Sequence, residues 1–147
     1  MAGFAAVSAL PDADAIAFVF RIPYENQFGH RGATHSITFA LLCGLAALAF
    51  AKARSLRAPV QVAVLAALTS LSHPLLDMLT NGGLGCAIFW PFSTDRLFFP
   101  IGPIPVAPIG LGMLSVGGLI VVAVETILFS PFLLYATWPR RAKTATS

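Results

Sequence analysis

The segment VQVAVLAALTSLSHPLLDMLTNGG, residues 60–83, joins a long apolar run to a histidine and a carboxylate near its end. Pro59 opens the run at a first-turn position that tolerates proline, and Asn81-Gly82-Gly83 stops it. The length between them approaches the roughly 20 residues that a transmembrane helix needs. His73 and Asp77 are four residues apart, so one helical turn brings both onto one face, a spacing suited to gripping one metal ion. Thr69, Ser70 and Thr80 share that stripe, while Leu71, Leu75, Leu76, Met78 and Leu79 cover the rest. Such a stripe can simply glue helices together by hydrogen bonds. An ionisable pair in so apolar a segment is costly, which favours a site over glue. Pro74 lacks an N–H, so the Ser70 carbonyl loses its usual partner, and a kink with a hydrated pocket is expected beside His73.

The composition agrees with a membrane location. Of 147 residues, 57% are hydrophobic and only 10% charged, with a mean hydropathy of +0.83. A soluble domain carries about a quarter charged residues. Too little polar surface exists to cover a globule, so an all-α, polytopic integral membrane protein of one domain, residues 1–147, is expected. The net charge of +3 is no nucleic-acid signature, because six of the nine basic residues fall in two clusters, 52–57 and 140–143, that flank apolar runs. Cys43 and Cys86 form neither a disulfide framework nor a CxxC site.

Residues 1–10 read as a short apolar helix stopped by Pro11, too short to span alone and lacking the basic start of a signal peptide. Asp12 and Asp14 follow it. Residues 21–34, RIPYENQFGHRGAT, form a polar loop, and Thr34 is the expected N-cap of a span over residues 35–51. After the basic connector and the second span, residues 81–108 make a Gly- and Pro-rich loop long enough to be functional. Asp95 and Arg96 within it are expected to form an ion pair or rim contact. Residues 109–138 form a third span, kinked at Pro131, and residues 139–147 are a basic tail. Glu125 lies below the depth of the cluster in that span, as a helix-packing acid or, if the helix begins lower, as a group behind the cluster.

The basic clusters orient the chain. With residues 52–57 and 140–143 cytoplasmic, Asp12, Asp14, His30, His35, His73 and Asp77 all fall at the opposite, extracytoplasmic face. All three histidines and three of the six acids then share one membrane depth. His35 sits in the first helical turn, where the dipole disfavours the imidazolium and keeps the ring available as a ligand. Arg31 has planar donors suited to a phosphate or carboxylate, or to lipid headgroups. Asp12 and Asp14 can both reach a metal from one turn, or one can cap the next helix. Mixed imidazole and carboxylate ligands suit zinc first, then manganese or iron, rather than calcium.

The stretches LPDAD (10–14), HRGATHS (30–36), HPLLDMLTNGG (73–83) and WPF (90–92), in this order, resemble the YdjM-like, LexA-regulated family of bacterial inner-membrane metal-dependent hydrolases. The resemblance runs over residues 10–91. It implies that Asp12, Asp14, His30, His35, His73 and Asp77 are the metal-binding positions. Members of that family begin with a further helix carrying a histidine ahead of the PD-D turn. This chain starts almost at that turn, so either a missing ligand or a truncated N-terminal helix is expected.

These observations lead to one set of expectations. The chain has three transmembrane helices plus a short N-terminal helix, in the bacterial inner membrane. It holds a divalent metal ion and hydrolyses a small-molecule or lipid substrate, a phosphoester being the chemistry that suits the location. Asp14 or Asp77 takes the proton from water, and Arg31 steadies an anionic substrate. Membrane lipids are the other partner, and nucleic acid is not one. A metal or ion transporter using the same groups, or a non-enzymatic membrane protein, are the alternatives. A transporter needs polar positions continuing to the cytoplasmic side.

Overall fold

The computed structural model describes residues 2–108 and 110–137. It forms two compact units, Met1–Pro103 and Ile104–Ser147. Among the described residues the chain is helical, with no strand beyond an isolated antiparallel bridge between Cys86 and Leu97.

The first unit holds three α-helices: α1 (Ala2–Ala9), α2 (Ile37–Ala53) and α3 (Pro59–Asp77). Between α1 and α2 lie two 3-10 segments, Pro11–Phe18 and Ala33–His35. Pro11 starts the first because its missing N–H costs nothing at a helix start. α2 begins two residues later than the sequence reading placed it. Ser36, not Thr34, is its N-cap, accepting the Phe39 N–H at 3.0 Å. The reason is local: residues 33–35 tighten into a 3-10 turn, and the Thr34 hydroxyl is used elsewhere. α3 passes through Pro74 and ends at Asp77, short of Thr80.

α2 and α3 form an antiparallel hairpin packed through small residues. The buried positions of α2 are Ala40, Gly44 and Ala51, and those of α3 are Ala66, Ser70 and Pro74. A side chain at Gly44 would press against the Cβ of Ala67 and the carbonyl of Ala63, so the backbones meet there without room for a methyl group. The outward faces carry Leu41, Leu42, Leu45, Val64, Leu65 and Leu68, all exposed. α3 is long and apolar enough to cross a membrane, yet only 17% of its apolar window is buried. A core helix of a soluble protein is the reverse, hidden on most sides, so this outward apolar surface calls for lipid.

Of the three expected spans, α3 alone meets the length and hydropathy of a crossing among the described residues. Ile37–Ala53 and Val116–Pro131 are apolar but shorter. In the second unit a 3-10 segment, Gly110–Leu114, precedes α4 (Val116–Thr137), which contains Pro131 and Glu125. The end of the third expected span at residue 138 and the basic tail, with its cluster at 140–143, lie outside the described residues.

The α2–α3 hairpin fixes where the polar groups go. Residues before α2 and after α3 meet at one end, while Lys52, Arg54 and Arg57 sit at the other, about 25 Å away along α2. Residues 81–100 fold over the polar end. Ile37 donates to the Ile88 carbonyl, Thr38 to that of Trp90, Ala87 to that of Arg31, and Phe99 to that of Met78. Met78, Cys86 and Ile88, with Leu71 against them, make a small apolar core beneath.

Gly44→Leu is expected to destabilise the hairpin by about 1–3 kcal/mol, as overpacking of a close contact does. Gly3→Ala, where an added methyl meets nothing within 4 Å, is the control. Equal thermal unfolding of both variants and the wild type in detergent would show that α2 and α3 do not rely on this contact.

Candidate metal centre

The tight turn that delivers the first ligands is built around Arg31. Its backbone is left-handed, with φ of 60°, a conformation that bulky residues rarely adopt. Gly32 follows it, at a place where a Cβ would run into the Gln27 carbonyl. The turn aims the Arg31 N–H at Asp14 Oδ2, 3.1 Å away, and sends the guanidinium inward.

Asp14 is a buried hub. Its carboxylate meets His30 Nδ1 at 2.7 Å, the Arg31 N–H, the Thr34 hydroxyl and, at 3.0 Å, His35 Nδ1. The Thr34 hydroxyl donates to Asp14, so its oxygen and the carboxylate both present lone pairs to His35 Nδ1. Nδ1 therefore carries a proton, and Nε2 is the nitrogen that faces the other way. Thr34 thus selects the His35 tautomer instead of capping a helix.

His35 Nε2 points into a second cluster. Asp12 Oδ1 lies 3.6 Å from it and Asp77 Oδ2 3.2 Å. His73 Nε2 completes the set, 3.3 Å from Asp12 Oδ1 and 3.8 Å from Asp77 Oδ2. All four atoms lie within 4.8 Å of one another. A tetrahedron with zinc–ligand bonds of about 2.0–2.1 Å has edges of about 3.4 Å, in the range of these separations. Three of the atoms, His35 Nε2, His73 Nε2 and Asp77 Oδ2, are buried and unpartnered by any hydrogen bond. Buried polar atoms rarely stay unpaired. These atoms converge at ion-pair distance from one another, and the mixed imidazole and carboxylate donor set fits a divalent metal. Charge agrees once His35 is neutral, as a ligand must be: Asp12, Asp14 and Asp77 against Arg31 then leave two negative charges for a dication to balance.

The six residues expected as ligands do gather, but as two sets sharing His35. Asp12, His35, His73 and Asp77 surround one point. Asp14 and His30 stand behind His35 and hold it. Arg31 is likewise not positioned to meet a substrate. It is 5% exposed. Its Nη2 binds Asp77 Oδ1 at 3.1 Å and its Nη1 binds Thr80 Oγ1 and the Gly82 carbonyl. That grip leaves Asp77 Oδ2 turned toward the cluster.

The expectation that the helix dipole keeps His35 neutral does not hold for the metal-free chain. Burial opposes the imidazolium, but Asp12, Asp14 and Asp77 outweigh it and raise the pKa to about 10. The same imidazoles draw Asp12 well below the usual carboxylate range. Asp14 is also lowered, burial being overcome by His30, His35 and Thr34. Cys86 is no ligand: it is fully buried, its thiol is pushed up to about 12 by that burial, and it donates to the Pro74 carbonyl.

Arg96 was expected to form an ion pair with Asp95 or a rim contact. Instead of pairing with Asp95, its guanidinium donates to the carbonyls of Tyr24, Asn26, His30 and Gly85 and lies over the Tyr24 ring. It clamps the 24–30 turn to the 81–97 loop. Backbone carbonyls leave no pattern in a sequence, so only the arginine itself, isolated in an aromatic loop, hinted at this. Glu125 lies in the second unit, on α4.

A helical chain with an outward apolar span and a His/Asp cluster at the hairpin's end is, as a class, a membrane protein with a candidate cation site. The chain belongs to the YdjM inner membrane protein family, whose profile matches residues 1–143. It is 43% identical over 106 residues to the inner membrane protein YbcI of Escherichia coli (strain K12), covering 69% of this chain and 59% of that protein. The chain therefore spans about three-fifths of the curated relative's length. No solved structure matches it.

Asp14→Asn is expected to weaken zinc binding by about 10–100-fold, the usual effect of losing a carboxylate behind a ligating histidine. In the same titration, zinc added near pH 7 displaces the proton that His35 holds up to about 10. Proton release and an affinity that climbs with pH toward that value are the expected readouts. The sign for the metal-free fold is opposite. The raised pKa of His35 stabilises it fully below 6.5, and that contribution is lost as pH rises through about 10. Zinc affinity equal in Asp14→Asn and wild type would rule out the hub.

Proposed function

We propose that this chain is a multi-pass inner-membrane, metal-dependent hydrolase whose centre lies at the extracytoplasmic end of the α2–α3 hairpin. The observation that carries the reading is the convergence of four ligand atoms, three of them buried and unpartnered. The family and its relative, both named as inner membrane proteins, support the location. The basic connector at the far end of the hairpin supports the orientation.

Asp12, His35, His73 and Asp77 are the proposed ligands, for zinc first, with manganese or iron as alternatives. Such an ion supplies Lewis acidity, polarising a substrate oxygen and making water nucleophilic near neutral pH. The residues around it divide the remaining work. Asp14 and His30 set the His35 ring, and Arg31 holds Asp77, so these three position ligands and do not touch substrate. Asp12 has a side chain 52% exposed, against 3% for Asp14 and 19% for Asp77. Water and substrate therefore reach the centre on the Asp12 side.

Val19, Phe20, Phe28, Phe89 and Phe92 are exposed on the segments that form this end. Apolar and aromatic side chains there suit the membrane interface, which favours a lipid phosphoester as substrate. The transporter reading is weaker. Toward the basic end the buried faces of α2 and α3 offer Gly44, Ala51 and Ala66, with no polar side chain to pass an ion along.

Purified protein is expected to carry about one zinc per chain, and His73→Ala and Asp77→Ala to lose it. The same two variants should lose most hydrolysis of bis(p-nitrophenyl) phosphate and of a fluorescent phospholipid, because the ion that would make water nucleophilic goes with its ligands. Negligible metal in wild type and variants alike would remove the centre. Metal without hydrolysis of either compound would remove this substrate class. A reporter inserted at Ser55 should read as cytoplasmic, and a periplasmic signal there would invert the orientation.

A further inference from the structure

α1 packs on α3 but stands off from α2, and the gap is a cavity of about 430 Å³. That is within the usual range of small-molecule sites. Phe4 and Leu10 of the N-terminal segment form one wall, Cys43, Ala46 and Phe50 of α2 a second, and Ala66 of α3 the floor. Every lining residue is apolar, and no charged group enters it. Water in such a space finds no partners, and leaving it empty forfeits packing on all sides. Beside a helix whose outward face is apolar, hydrocarbon chains are the filler at hand.

The cavity has a direction. Cys43 lies toward the polar end of α2 and Phe50 seven residues along toward the basic end, about 10 Å of travel parallel to the helices. Leu10 lines the groove two residues ahead of Asp12, the exposed member of the His/Asp cluster. A chain lying in the groove therefore has its head end at the side from which the centre is open.

We infer that the groove between α1, α2 and α3 binds one acyl chain of a membrane phospholipid and thereby sets the phosphoester headgroup beside the Asp12–His35–His73–Asp77 cluster. The substrate role of that lipid rests on the hydrolase reading, whereas its binding does not. Small residues on the walls, Ala46 and Ala66 among them, leave space that larger side chains would fill. Ala46 is exposed in the groove, so bulk added there enters the cavity without displacing a packed atom.

The test compares wild type and Ala46→Trp, both full-length and purified in mild detergent from the membrane, by mass spectrometry of retained lipid and by metal content. Wild type is expected to retain phospholipid and Ala46→Trp to lose it, with equal metal in both. Equal lipid retention in the two proteins overturns the proposal. So does a change of oligomeric mass in Ala46→Trp with lipid retained, which would make the groove a seat for a second copy. Cys43 provides a measurement on the wild type alone. It is half-buried on the groove wall while Cys86 is fully buried, so maleimide reports on Cys43. Transfer into dioleoyl phosphatidylglycerol bicelles should slow its labelling several-fold, and an unchanged rate counts against the groove. Lipid lost in Ala46→Trp, with no hydrolysis by wild type, would sink the hydrolase reading and leave the groove standing.

Discussion

The Asp14 carboxylate is the contact on which the polar end of this chain depends. It is buried, and a buried carboxylate is tolerated only when donors replace the water it has lost. Here they come from His30, the Arg31 backbone and Thr34, with His35 Nδ1 3.0 Å away. Meeting that demand folds the 21–35 loop back against the 3-10 segment Pro11–Phe18. It forces Arg31 into a left-handed backbone and fixes which nitrogen of His35 is free. The ligand geometry is a consequence of satisfying one buried charge.

A second layer of the same logic runs through Arg31 and Arg96. Arg31 neutralises one face of Asp77 and is itself bound by Thr80 and the Gly82 carbonyl, so α3's last turn, the glycine loop and the histidine loop are one network. Arg96 spans the carbonyls that the irregular 24–30 turn leaves open. Guanidinium groups suit both tasks because their planar donors serve several acceptors at once. The apolar half needs no such devices. Gly44 lets α2 and α3 approach, and lipid-facing leucines and valines do the rest. The two halves also differ in what they leave unfinished. The polar end gathers four imidazole and carboxylate atoms that could hold a cation, and the apolar half carries a groove lined by apolar side chains.

Much of this was legible in the residue order. The apolar runs, the basic connector and the rarity of charge already required a helical membrane chain, because backbone polar groups in hydrocarbon must be satisfied within their own segment. The i, i+4 placement of His73 and Asp77 needed only helical periodicity to become a pair. Topology alone gathered Asp12, His30 and His35 at the same level. What periodicity cannot express is which of several neighbouring acids and imidazoles face one another. Asp14 differs from Asp12 by two residues of a 3-10 turn, yet one is a buried hub and the other an open ligand. Arg31 read as a substrate contact because its burial depends on a loop 50 residues away.

The sequence by itself determined the helical, membrane-facing character of the chain, the family it resembles and the six side chains of its cluster. These follow from composition, spacing and local chemistry. Tertiary structure alone decided the division of those six into two sets sharing His35, the binding of Arg31 to Asp77 and of Arg96 to backbone carbonyls, and the groove beside α1. Each depends on distances between segments far apart in the chain, set by a buried carboxylate's need for donors and by how closely small residues let two helices approach.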